Sequence, residues 1–221
     1  NGTFFDPKVI YDRYSDRFIL VMLFHSTDYS DSRILFAFSN PATSSSATWN
    51  LYQWSLPSNS GFDNTTTTKY WYDYPNIGIN KNELFVSTNV YKRVSGEDQA
   101  YRTVLYQLEK SDAYNNYVFI SSIVHLNFTD NDGNSANTLV PLSDGLQDDT
   151  YEDKMYFVNN KTTSPYKTFW YKLTGNISTG NSITKQTLTS TISYSPAPYA
   201  NQLGSVVGGS IKVPGARARS G

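Results

Sequence analysis

The chain has no cysteine, which removes disulfide staples, thiolate nucleophiles and cysteine-based zinc sites together. Its only two histidines are His25, at a predicted strand end, and His125, inside a predicted outer strand. Neither a histidine metal triad nor a Ser-His-Asp hydrolase finds its parts there. Charge is sparse too: Asp, Glu, Lys and Arg make up 17% of 221 residues and leave a net charge of −1. A surface so nearly neutral gives no electrostatic reason to expect nucleic acid or an anionic membrane as partner. Arg217 and Arg219, in a Pro-Gly-Ala-rich tail, are too few for a phosphate-binding arm. The longest apolar run covers residues 18–24, far short of the roughly 20 a membrane helix needs. The chain opens at Asn1 with neither Met nor an apolar leader, which reads as a processed or excised segment.

What is abundant suits strands. Aromatic residues reach 15%, with 18 Tyr and 12 Phe, and the polar residues are mainly Ser, Thr and Asn rather than charges. Ring and β-branched side chains fit a pleated surface, while Asn and Ser supply turns. No stretch shows the 3.6-residue periodicity of a helix, so the expected class is all-β. The tyrosine-rich, charge-poor composition points to an extracellular or cell-surface protein. Five Asn-X-Ser/Thr sequons, beginning at Asn1, Asn64, Asn127, Asn160 and Asn176, permit glycosylation without arguing for it.

The order of short strands recurs along the chain. Runs 7–12, 18–25, 34–40 and 49–56 are followed, at an offset of roughly 65 residues, by 75–80, 84–91, 104–110 and 118–126. A third pass fits 139–144, 154–160, 168–175 and 182–190, and 202–207 reads as the first strand of a fourth unit. Four-stranded antiparallel sheets in series are the footprint of β-propeller blades. The predicted architecture is one β-propeller domain with blades at 4–56, 71–128 and 136–192 and part of a fourth at 200–221. Residues 18–24, apolar on both faces, are expected in a central strand sandwiched by neighbouring blades. Ser/Thr/Asn/Pro-rich segments 57–69, 129–137 and 192–200 fall where linkers belong. Three blades and part of a fourth do not close a ring of roughly 4 to 8. That predicts a fragment of a longer propeller, or further blades supplied by another chain, because an uncovered apolar edge aggregates.

The strings Asp6-Pro7-Lys8-Val9-Ile10-Tyr11-Asp12 with Arg17-Phe18, Asp73-Tyr74-Pro75-Asn76-Ile77-Gly78-Ile79 with Val86-Ser87-Thr88-Asn89, and Gln202-Leu203-Gly204-Ser205 carry a resemblance. They are similar to poorly characterised extracellular β-propellers of microbial secreted and cell-surface proteins. The resemblance spans nearly the whole chain and implies secretion and a propeller rather than an activity. In that group the blades continue past the segment similar to residues 202–221, which implies truncation.

Asp6 and Asp73 stand just before the inner-strand prolines of successive blades and read as equivalent. Two carboxylates at a channel mouth are what a glycosidase needs for its acid and its base or nucleophile. The Asp6-Pro7 pair also resembles an Asp-Pro of five-bladed glycoside hydrolases. The third blade has Thr138 at the position of Asp6, and Glu83, Glu97, Glu109 and Glu152 fall in turns or on outer strands, so no proton donor is in place. The competing expectation is that each Asp caps a turn. Of the Asp-box signature of sialidases only Thr48-Trp49 survives. Asp130, Asp132 and Asn134 alternate around Gly133 as in calcium loops, without the distal Glu, which makes calcium the one candidate ion. Tyr70, Trp71, Tyr72 and Tyr74 cluster before the second inner strand and could stack on sugar faces or pack between blades. The expected function is non-enzymatic binding or assembly, with a glycan, a protein or further blades as partner. The alternatives are a carbohydrate-active hydrolase using Asp6 and Asp73 and a structural subunit of a surface layer or filament.

Overall fold

The computed structural model describes residues 1–41, 48–56, 61–126, 128–129, 133, 135–136, 138–142, 154–161, 167–179 and 184–190. The first sheet runs in the order β1 (Gly2–Asp12), β2 (Arg17–Ser26), β3 (Ser32–Ser39), β4 (Trp49–Ser55). The second is β5 (Thr68–Ile79), β6 (Glu83–Val94), β7 (Glu97–Glu109), β8 (Ser122–His125), and the third is β9 (Val140–Leu142), β10 (Lys154–Lys161), β11 (Lys167–Thr174), β12 (Thr184–Ser190). Every pairing is antiparallel between strands consecutive in sequence. The protein is therefore all-β, built from three open meander sheets.

Local chemistry sets the hairpins. Between β1 and β2 the Asp12 carboxylate accepts the Tyr14 N–H at 3.0 Å, an Asx turn. Between β5 and β6 the Asn80 side-chain oxygen accepts the N–H groups of Asn82 at 3.0 Å and Glu83 at 2.7 Å. Between β6 and β7, Ser95 and Gly96 both have positive φ, 51° and 94°, the two-residue turn whose twist matches the strands it joins.

The second sheet has a different core on each face. Leu84 and Val86 of β6, with Val104, Tyr106 and Leu108 of β7, bury against Ile19, Val21, Leu23, Phe36 and Phe38 of the first sheet. Phe85 and Leu105 point the other way, into a core shared with Met155, Phe157, Phe169, Tyr171 and Leu173 of the third. The hydroxyl of buried Tyr72 on β5 meets that of Tyr106 inside the first core.

Three expectations change. Residues 110–114 form a five-residue helix, α1 (Lys110–Tyr114), in the connection between the strands expected at 104–110 and 118–126, where no helix was foreseen, because Ala113 and Lys110 are buried there and anchor the turn. The strand expected to open at 75 opens at Thr68, so the aromatic run lies inside β5 rather than before it. The central strand β2 is covered on one side: Ile19, Val21 and Leu23 are buried, whereas Phe18 is 40% exposed and Leu20, Met22 and Phe24 are half-buried. The run 202–207, the partial fourth blade and the 192–200 linker lie outside the described residues.

Candidate functional site

Each first strand carries a residue in the left-handed region at a corresponding point. Asp6 on β1 has φ 49°, Tyr74 on β5 has φ 54°, and Thr138, just before β9, has φ 57°. In β1 and β5 this residue sits in a β-bulge, between Phe5 and Lys8 in one and between Asp73 and Asn76 in the other. Two residues beyond it, Lys8, Asn76 and Val140 pair with Val21, Ser87 and Val158, so the three positions correspond strand for strand. A residue before proline is pushed toward extended backbone, and both Asp6 and Tyr74 precede one. Holding a non-glycine residue left-handed costs about 1–3 kcal/mol and persists where the surroundings over-determine it. The surroundings here do: the Thr88 hydroxyl donates to the Asp73 carbonyl at 2.8 Å, and Asn89 accepts the Thr138 N–H at 2.7 Å while donating to its hydroxyl at 3.0 Å.

Beside the first two bulges lies a ring cluster. Trp71 on β5 stacks on Tyr91 of β6 with centroids 5.2 Å apart, and meets Tyr29, His25 and Phe5 of the first sheet at 5.3, 5.8 and 6.3 Å. Tyr29 stacks on His25 at 4.3 Å, and Arg93 lies 4.6 Å over its ring. Arg93 pairs with Asp98 at 2.5 Å, and Asp98 in turn accepts the indole N–H of Trp71 at 3.0 Å. Tyr74 is 51% exposed, with the Lys8 ammonium 5.7 Å from its ring centre.

The Asp73 carboxyl stands at the edge of this cluster. Burial pushes it above its usual 3.8, the Tyr74 N–H it accepts holds it back, the charges of Asp6 and Asp98 raise it again, and His25 lowers it. Since the folded-state value lies above the unfolded one, the stability tied to Asp73 is complete below about 3.8 and is lost as pH rises through the folded-state value. Asp73→Asn is therefore expected to flatten that part of the stability-versus-pH curve and to raise the unfolding temperature at neutral pH relative to acid. Thermal melts across pH check this, and an equal loss of stability at both ends contradicts it.

The sequence-predicted residues are redistributed. The counterpart of Asp6 is Tyr74, not Asp73: each directly precedes its strand's proline and stands at the same point of the same bulge. Thr138 does correspond to Asp6. Asp73 Oδ1 accepts the Tyr74 N–H at 2.8 Å, the capping geometry that competed with a catalytic role. Of the four aromatics, Tyr70 and Tyr72 are buried core residues and offer no face to a ligand, Trp71 joins the ring cluster, and Tyr74 is exposed. Alternation along β5 separates Trp71 from Tyr70 and Tyr72, and the bulge turns Tyr74, of the same parity as those two, out to solvent. Glu83 and Glu109, placed in turns or on outer strands by the sequence, are buried at adjoining ends of β6 and β7. The calcium candidates Asp130, Asp132 and Asn134 lie outside the described residues. Tyr29, Tyr91, Arg93 and Asp98 gave no motif, and only pairing across strands and sheets brings them to Trp71.

Fold and site define a class: an all-β protein of serial four-stranded antiparallel sheets whose first strands share a strained, side-chain-bearing point. Comparison with family models, with curated proteins and with solved structures found no match to this chain.

Proposed function

We propose that the chain is a non-catalytic binding module of β-propeller type, acting outside the cell or at its surface, and that the row of left-handed residues with its ring cluster takes a neutral glycan. The row itself carries this reading. Strain repeated at the same point of three first strands is a feature a purely structural sheet would shed, and at β5 it leaves the Tyr74 ring exposed beside two carboxylates. A flat ring stacks on a sugar face at small entropic cost, and Asp6 and Asp73 supply acceptors for hydroxyls. The near-zero net charge suits an uncharged ligand. The serial order of the sheets, each buried on the next through the same register face, supports the radial arrangement. The capping bond at Asp73 and the Tyr74 counterpart of Asp6 favour binding over a hydrolase with paired carboxylates.

The test is titration calorimetry against a panel of soluble neutral polysaccharides. Tyr74→Ala is expected to weaken the best ligand about tenfold, equivalent to about 1.4 kcal/mol, with an unchanged melting temperature. A chain that binds none of the panel, or whose affinity is indifferent to both Tyr74→Ala and Trp71→Ala, sinks the reading.

A further inference from the structure

The outer face of the first sheet is apolar and uncovered among the described residues. Phe4 and Val9 of β1, Phe18 of β2 and Leu51 of β4 are exposed, Leu51 by 74%. Leu20 and Met22 at its centre are half-buried. Its place in the register says what belongs on it. With Asp6, Tyr74 and Thr138 aligned, Leu20 of β2 corresponds to Val86 of β6 and Phe157 of β10. Their partners on the third strands are Ala37, Tyr106 and Tyr171, and one step along Leu35 corresponds to Val104 and Phe169. Val86, Val104 and Tyr106 are the residues by which the second sheet buries itself on the first, and Phe157, Phe169 and Tyr171 those by which the third buries itself on the second. The first sheet thus has the same docking face, and among the described residues no sheet lies on it.

The opposite face obeys the same rule. Val21 and Phe36, which the first sheet offers to the second, correspond to Ser87 and Leu105, which face the third, and then to Val158 and Trp170 on the far side of the third sheet. The described part of the chain therefore carries both halves of a sheet-on-sheet contact, one on its first sheet and one on its third. Resting on the radial reading above, we propose that the outer face of the first sheet is an assembly face that takes the Val158–Trp170 face of the third sheet in a second copy. The three sheets of the described residues make six in such a pair, within the roughly 4 to 8 of closed rings. Each contact is head-to-tail, and in the proposed pair a two-fold axis relates the two contacts.

The chain lacks cysteine, so introduced thiols report one contact each. Met22→Cys and Val158→Cys chains, mixed under mild oxidation, are expected to form a mixed disulfide dimer, while neither variant links to itself. Sedimentation equilibrium of the unmodified chain is expected to give twice the mass of one chain, and Leu20→Asp or, at the exposed edge, Leu51→Asp to return it to the monomer with its strand signal in circular dichroism intact. A monomer at every concentration overturns the proposal, as do Met22→Cys chains that link only to each other and open-ended polymers without a closed dimer. A monomeric chain that still binds glycan through Tyr74 overturns the assembly alone and leaves the binding module standing.

Discussion

Replacing Lys110 by Met lowers the stability of the folded chain by about 3–5 kcal/mol, the expected penalty for stripping one partner from a buried ion pair. The Lys110 ammonium lies 2.8 Å from Asp12 Oδ2, with side chains 2% and 0% exposed. It also donates to the Asn80 carbonyl at 2.7 Å, and the Tyr114 hydroxyl donates to the same Asp12 oxygen at 2.5 Å. One charge thus ties the β1–β2 turn, the β5–β6 turn and α1 together, joining the first sheet to the second where Ala113 and Tyr114 pack on their shared apolar core. Burial pushes the Lys110 pKa below its usual 10.5, and the Asp12 carboxylate opposes that shift, so the ammonium depends on its partner. With Met at 110 the Asp12 carboxylate keeps its Tyr14 and Tyr114 hydrogen bonds but is buried without the ammonium that balanced its charge. Asp12→Asn combined with Lys110→Met removes both charges and is expected to recover most of the loss, because the Asn oxygen keeps an acceptor for the Tyr14 N–H and its amide N–H can donate to the Tyr114 hydroxyl oxygen. Urea midpoints at constant m measure both variants. A single variant within about 1 kcal/mol of the parent, or a double variant no better than the single, contradicts the account.

Phe157→Ala is expected to cost about 3–5 kcal/mol, the range for truncating a fully buried phenylalanine, and to do so locally. Phe157 lies in the second core, edge-on to Phe85 at 5.9 Å and 6.0 Å from Phe128, with no exposed surface. Its core is distinct from the one between the first and second sheets, and the second sheet stands between them. Serial sheets that touch only their neighbours lose stability unit by unit. Hydrogen exchange should therefore show protection falling on β9, β10 and β11 while the amides of β2 and β3 keep theirs. A uniform fall across all three sheets would show a single cooperative unit and refute the local loss.

Strand order was legible in the sequence because its signals are local. The Asp12–Asp16 turn, Asn80 ahead of Glu83 and the Ser95-Gly96 pair mark where the chain reverses, and the runs between them have strand composition. The division into three four-stranded sheets follows from those reversals, since antiparallel strands joined by short turns pair with their neighbours. The site was less legible. A period-2 reading of β5 assumes unbroken alternation, but the bulge at Tyr74 resets it: Tyr70 and Tyr72 face the core before the bulge and Ile77 and Ile79 after it. The same reset moves the inward positions of β1 from Phe5 to Ile10. Matching Asp6 with Asp73 was an error of one residue: Asp6 directly precedes Pro7, whereas Asp73 stands two residues before Pro75 and Tyr74 holds the bulge position.

By itself the sequence determined the all-β class, the order of the strands and the sparseness of charge and of reactive side chains. The tertiary structure alone decided which rings are core and which meet solvent, that Lys110 and Asp12 are buried as a pair, and that His25, Tyr29, Trp71 and Tyr91 form one cluster. The physical reason is range. Turn and strand preferences act over a few residues and leave a trace in the local order of side chains, whereas burial and clustering depend on which sheet face meets which, across separations of dozens of residues that no local pattern records.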